Sequence, residues 1–304
     1  MSKLNATPPR AFLGRRVWLA LVLLFVPWLL HGCAAFDPWQ RRTLYRPTPV
    51  ASSQEWQQML ALRPDVLALT VPVGTEGEQV QVLRVLAQSG RASAVRVLYL
   101  HGTYRHAYQN LAKAAPMVRS GMDVYLPDYR GWGASSPRLP DENSIHEDAW
   151  AVWRALQAQP AAQDTGPVRW VIFGHSMGSA VAVRLASRLH GTHSTCALVL
   201  ESAFTRFSDV AYEGAGWLGR LLAYMGSQRM DSLAWIEQVD PPVWFFHGSL
   251  DETVPLALGR RLFEQAPQPK YWQAWALGHS DLHTDPSGRY DQAWRQIQAG
   301  CSQP

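Results

Sequence analysis

Val171-Ile172-Phe173-Gly174-His175-Ser176-Met177-Gly178-Ser179-Ala180 is the stretch on which the reading of this chain turns. Three apolar residues of strand type run into a glycine, and an alanine-rich segment of helical pattern follows. The G-x-S-x-G spacing between them predicts a tight strand-to-helix turn. Small residues on both sides of such a turn let the backbone hold a serine in a strained conformation with its hydroxyl exposed. The N-terminus of the next helix favours negative charge developing beside that hydroxyl. Ser176 is therefore the candidate nucleophile. The bare pattern also fits a glycine-rich loop with a capping serine. The buried strand before it and the helix after it make it specific.

Working outward, Leu67–Val73 and Val80–Ala87 flank a Gly74-to-Glu78 turn and predict an antiparallel hairpin. Continuous apolar runs then recur at Val95–Leu100, Asp123–Leu126, Trp170–Phe173, Ala197–Leu200, Val243–Phe246 and Tyr271–Ala276, the pattern of strands buried on both faces. Segments of helical pattern fall between them, near 108–120, 144–158, 177–190, 255–265 and 288–299. Strand alternating with helix predicts an α/β fold: a mostly parallel, eight-stranded sheet with antiparallel edge strands and helices on both faces. The stretch 203–238 breaks the alternation. Its bulky apolar residues, among them Phe207, Trp217, Leu221 and Met225, suggest a small helical cap. Ligands of such sheets bind beyond the carboxyl ends of the strands, so the chemistry is sought there.

A serine hydroxyl is a weak nucleophile at neutral pH and needs a base that is itself oriented by an acid. Asp251 follows the Val243–Phe246 strand, and His279, preceded by Gly278, follows the last strand. The chain order is thus serine, acid, histidine. Glu201, at the end of the strand after the nucleophile strand, is the competing acid; otherwise it is a strand-end carboxylate bonded to backbone. His283 reads as a surface residue, and His101, His175 and His247 as hydrogen-bonding core histidines. Asp281 is either a second support for His279 or a solvated loop carboxylate. Two donors are needed for a tetrahedral oxyanion. The Met177 amide supplies one, and the Thr103 amide, after Gly102, is the candidate for the second, with the Tyr104 side chain as an alternative.

From about residue 67 to 299 the chain resembles the α/β-hydrolase superfamily, and within it the compact membrane-associated serine hydrolases that include lysophospholipases and protein-depalmitoylating thioesterases. The residues carrying this are Leu100-His101-Gly102, the Asp128-Tyr129-Arg130-Gly131 loop through Ser135, Gly174–Gly178, His247-Gly248 with Asp251, and Gly278-His279. The resemblance implies an α/β-hydrolase fold and hydrolysis of carboxylic ester or thioester bonds, with a structural rather than catalytic role for the Asp128–Ser135 loop. The superfamily also holds amidases and peptidases. A peptidase or amidase is thus an alternative within the class, and a membrane-tethered scaffold with an unused site is one outside it. No metal or cofactor is implied.

Composition narrows the setting. With 47% hydrophobic and 17% charged residues the 304-residue chain is globular rather than disordered. Its net charge of +4 resides in residues 1–32, where Lys3, Arg10, Arg15 and Arg16 meet no acidic residue. That leaves 24 of the 28 Lys and Arg against 24 Asp and Glu. A nucleic-acid-binding face is therefore not expected. The same segment reads as a secretory signal: Arg15-Arg16, then an apolar run from Val17 to Leu30, then Leu30-His31-Gly32-Cys33. Fourteen helical residues span about 21 Å, short of the roughly 30 Å hydrocarbon core of a bilayer. Cys33 is the expected lipidation site of an exported, membrane-anchored lipoprotein, though His31 departs from that pattern. An uncleaved anchor and an ordinary signal are the alternatives. Residues 33–60 are expected to be a linker and 61–304 the hydrolase domain. With Cys33 acylated, Cys196 and Cys301 remain as a possible pair in an oxidising compartment.

Overall fold

The computed structural model describes residues 36–88, 93–159 and 167–303. The leader at 1–32 and Cys33 lie outside them. No helix of the described residues is long and apolar enough to cross a membrane. Residues 36–45 are helical, and α1 (Ser53–Ala61) follows, its first turn capped by the Ser52 hydroxyl, which accepts from the Glu55 amide.

From β1 (Val66–Val73) onward the strands are β2 (Glu78–Val85), β3 (Val95–Leu100), β4 (Asp123–Asp128), β5 (Arg169–His175), β6 (Thr195–Glu201), β7 (Val243–Gly248) and β8 (Lys270–Trp275). They form one eight-stranded sheet in the order β1-β2-β4-β3-β5-β6-β7-β8. β2 pairs antiparallel with β1 and with β4, and every other pair is parallel. The antiparallel pairing is therefore confined to the hairpin edge, where a short turn suffices; the parallel strands each need a helical crossover.

Those crossovers are α2 (Leu111–Arg119), α3 (Glu142–Gln157), α4 (Met177–Arg188), α5 (Phe207–Met225) and α6 (Leu256–Gln265), with α7 (Arg289–Cys301) closing the chain. They divide between two cores. Leu98, Leu100, Trp170 and Ile172 face one core with residues of α3, α4 and α6. Val95, Val97, Tyr99, Val171 and Phe173 face the other with α1, α2 and α7. Central strands that are mostly apolar on both faces are the consequence, because successive side chains alternate between two dry faces. The 203–238 stretch carries α5, which is interrupted by non-helical backbone at Ala215 and Gly216. Cys196 on β6 and Cys301 at the end of α7 are joined as a disulfide, Cα to Cα 5.3 Å, across a sequence separation of 105. Closing so long a loop constrains the unfolded chain, an effect of about 2–4 kcal/mol.

Candidate active site

The turn from β5 into α4 places Ser176 at φ +54°, ψ −122°. Non-glycine residues rarely occupy that region, and they persist there only when the surroundings over-determine it. The surroundings here are close. A Cβ on Gly178 would run into the Leu100 carbonyl, and one on Gly174 into the backbone of Gly178. The Ser176 amide donates to the Glu201 carbonyl at 2.9 Å, and its own carbonyl accepts from Ser179 at 2.8 Å, which starts the helix.

His279 and Asp251 come together at the same end of the sheet. His279 Nδ1 donates to Asp251 Oδ2 at 2.8 Å, while Asp251 Oδ1 accepts from the amides of Thr253 (3.0 Å) and Val254 (2.8 Å). Burial pushes this carboxyl up, but His279 and the Val254 amide outweigh it and hold it below its usual range. The two loops are laced by the Ser249 amide to the Trp275 carbonyl (2.7 Å) and the Leu250 amide to the Leu277 carbonyl (3.1 Å). His279, Ser176 and Thr103 line one small cleft. Among the described residues the Ser176 hydroxyl makes no hydrogen bond to the His279 ring. Met177 begins α4 and Thr103 follows β3, and neither amide is spent on a hydrogen bond among the described residues.

The competing residues lie elsewhere. Glu201 is buried, and its Oε2 accepts from the Tyr290 hydroxyl at 2.6 Å rather than from backbone. Asp281 is exposed, and its carbonyl accepts from the Thr284 amide. His283 is partly buried instead of lying on the surface. His247 Nε2 donates to the Val254 carbonyl at 2.9 Å, behind Asp251. His101 Nδ1 donates to the Gly102 carbonyl at 2.7 Å, and burial pulls its ring down to about 4, so it stays neutral. His175 sits beneath the site, with Nε2 3.0 Å from the His279 carbonyl.

Two residues here escaped sequence reasoning. Ser202, at φ +50°, donates to the His279 carbonyl at 3.3 Å. Lys113, within Leu111-Ala112-Lys113-Ala114, is buried with Nζ 3.0 Å from His175 Nε2. A lone helical lysine normally reads as a solvated position; its apolar neighbours were the one available signal. Among the described residues no His, Cys, Asp or Glu side chains group as a metal set.

Comparison with known proteins agrees with this architecture. A family model described as Serine aminopeptidase, S33 matches residues 91–235. An uncharacterized protein of Mycobacterium tuberculosis is 33% identical over 247 residues, 80% of this chain and 81% of that protein. The chain belongs to the α/β-hydrolase superfamily. It is also 30% identical over 217 residues to the lysophosphatidylserine lipase ABHD12 of Danio rerio, covering 66% of this chain but 55% of that protein. Among solved structures the Pyrococcus furiosus esterase Pf2001 superposes with TM-score 0.65 at 14% identity, over 85% of this chain and 98% of that one, a likeness of fold. Together these likenesses support a hydrolase.

Proposed function

We propose that the chain is a serine hydrolase that cleaves carboxylic ester or thioester bonds through an acyl-enzyme intermediate. The observation that carries the reading is the strained Ser176 turn opening onto the cleft shared with His279, itself held by Asp251 at 2.8 Å. In the first step His279 takes the Ser176 proton as the oxygen attacks the carbonyl, and Asp251 fixes the ring and stabilises its charged form. The Met177 and Thr103 amides hold the oxyanion. His279 passes the proton to the leaving alcohol or thiol, and water then releases the acyl group by the same route.

Acyl or lipid-like substrates near a membrane suit the surface. Tyr212, Trp217, Leu218, Leu221, Tyr224 and Met225 of α5 are exposed, Trp217 at 73%. A large exposed apolar patch marks an interaction surface. Export as a lipoprotein through Cys33 is in keeping with the Cys196–Cys301 disulfide, since such bonds persist in oxidising compartments. A second reading, peptidase or amidase, is favoured by the description of the matching family model.

A p-nitrophenyl ester series from acetate to palmitate, run on the full chain and on Ser176→Ala, tests the proposal. Serine-dependent ester turnover supports it. Turnover of anilides or peptides alone moves the chain to the second reading, and equal turnover by Ser176→Ala removes Ser176 from the chemistry.

A further inference from the structure

Two cations line the cleft that holds Ser176: Arg105, two residues beyond Thr103 in the loop after β3, and Lys113 on α2. Neither forms an ion pair with a carboxylate among the described residues. The Arg105 guanidinium rests over the Tyr104 ring at 5.4 Å and has no other side-chain partner among the described residues. Lys113 is 3% exposed, and its ammonium meets a single acceptor, His175 Nε2 at 3.0 Å. A guanidinium and an ammonium together carry many more N–H donors than one imidazole nitrogen can accept.

Of the carboxylates whose fields reach Lys113, Glu201 acts most strongly, its Oε1 3.8 Å from the His175 Nε2 that Lys113 meets, but none is in direct contact with the ammonium among the described residues. Asp251 is bound to His279, Glu201 to Tyr290, and Asp281 is exposed to solvent. Burial pulls the Lys113 ammonium down to about 8, with Glu201 acting the other way, so it remains charged at neutral pH. A buried charge without a carboxylate is costly to the fold, and in a cleft beside a candidate nucleophile that cost points to a ligand.

We propose that Arg105 and Lys113 form an anion subsite beside the scissile carbonyl, selecting esters or thioesters that carry a carboxylate or phosphate close to the reacting bond. The inference rests on the hydrolase reading above and names the substrate class of that same site. The anion supplies the acceptors that the two cations lack, and charge-assisted bonds of this kind are among the stronger ones available to a protein.

The test uses the full chain and two matched pairs of esters. In the first, p-nitrophenyl butyrate is set against mono-p-nitrophenyl glutarate, which puts the carboxylate on the acyl side. In the second, a monoacylglycerol is set against its glycerol phosphate counterpart, which puts the phosphate on the leaving group. The readout is the ratio of kcat/KM for the anionic over the neutral member. The expected ratio is about tenfold or more in favour of the anion in one pair, and the pair that shows it identifies the side. Arg105→Gln and Lys113→Met should each lower that ratio about tenfold, whereas a purely structural defect lowers both members together. Arg105→Gln, at a part-exposed position, keeps the test open if Lys113→Met folds poorly. A wild-type ratio at or below one in both pairs overturns the subsite, as does a ratio unchanged in a folded variant. No turnover of any of the four esters would instead sink the ester-hydrolase reading, and the subsite with it.

Discussion

Arg130 and Lys113 are both buried cations near the carboxyl end of the sheet, and their surroundings are opposite. Arg130, 1% exposed, is enclosed by carboxylates: Asp148 Oδ1 accepts from its Nε at 2.6 Å, Glu147 lies at 3.1 Å, and Glu78 completes the set. Lys113 and its neighbour Arg105 have no carboxylate within ion-pair distance among the described residues. Charges taken out of water must be compensated or the fold bears the desolvation cost. Arg130 is compensated by its own chain and ties the loop after β4 to α3 and to the hairpin. Lys113 and Arg105 are left for something the chain does not contain. The contrast separates a cation that holds the structure from cations kept for a ligand.

The largest expected effect isolates the chemistry from both sets. Ser176→Ala should lower ester turnover by several orders of magnitude with an unchanged thermal midpoint. Near-normal turnover would make the cleft cations irrelevant to catalysis. Next in size, Arg130→Met should cost about 3–5 kcal/mol in urea unfolding, because it leaves buried Asp148 without its charge partner, with only the residue 130 amide still bound to it. A loss under about 1 kcal/mol would break the comparison from its structural side. Lys113→Met should change stability at pH 7 by less than about 1 kcal/mol, or raise it, since a desolvated charge is exchanged for an apolar side chain of similar length. A loss comparable to that of Arg130→Met would make Lys113 a structural cation as well.

The smallest effect is a pH dependence. The folded-state pKa of Lys113, about 8, lies below its ordinary value of 10.5, so the unfolded chain holds the proton more tightly. The associated stability is present above 10.5 and lost as pH falls through about 8. Measured against Lys113→Met, the wild type should therefore gain stability between pH 8 and 10. The charged and titratable groups facing this lysine are His175, Glu201, Arg105, Asp251 and Asp281, and of these Glu201 and His175 respond in turn to its charge. A flat difference across that window would show that Lys113 is not desolvated.

Much of this molecule was legible before folding was considered. Ser176 was readable because strand, turn and helix are local patterns, and a tight turn demands glycines at fixed spacing. The central strands were readable because a doubly covered strand is mostly apolar, as β3 and β5 are, and the β1–β2 hairpin because a short turn separates its two runs. Glu201 against Asp251 was not decidable in the same way. Glu201 ends β6 and Asp251 lies just beyond β7, and what separates them is that Tyr290, 89 residues from Glu201, takes one while His279 takes the other. Cys196 with Cys301 was open for the same reason.

By itself, then, the sequence determined the fold class, the strand-turn-helix at Ser176 and the chain order of Ser176, Asp251 and His279 at successive strand ends, because these follow from periodicity and from backbone demands within a few residues. Only the tertiary structure decided which acid meets His279, that Ser202 supports its main chain, and that Lys113 is buried beneath the cleft with no carboxylate in direct contact among the described residues. Those outcomes depend on how β5, β6, β7 and α2 are set side by side. Burial and charge pairing are properties of that arrangement, and no run of neighbouring residues encodes them.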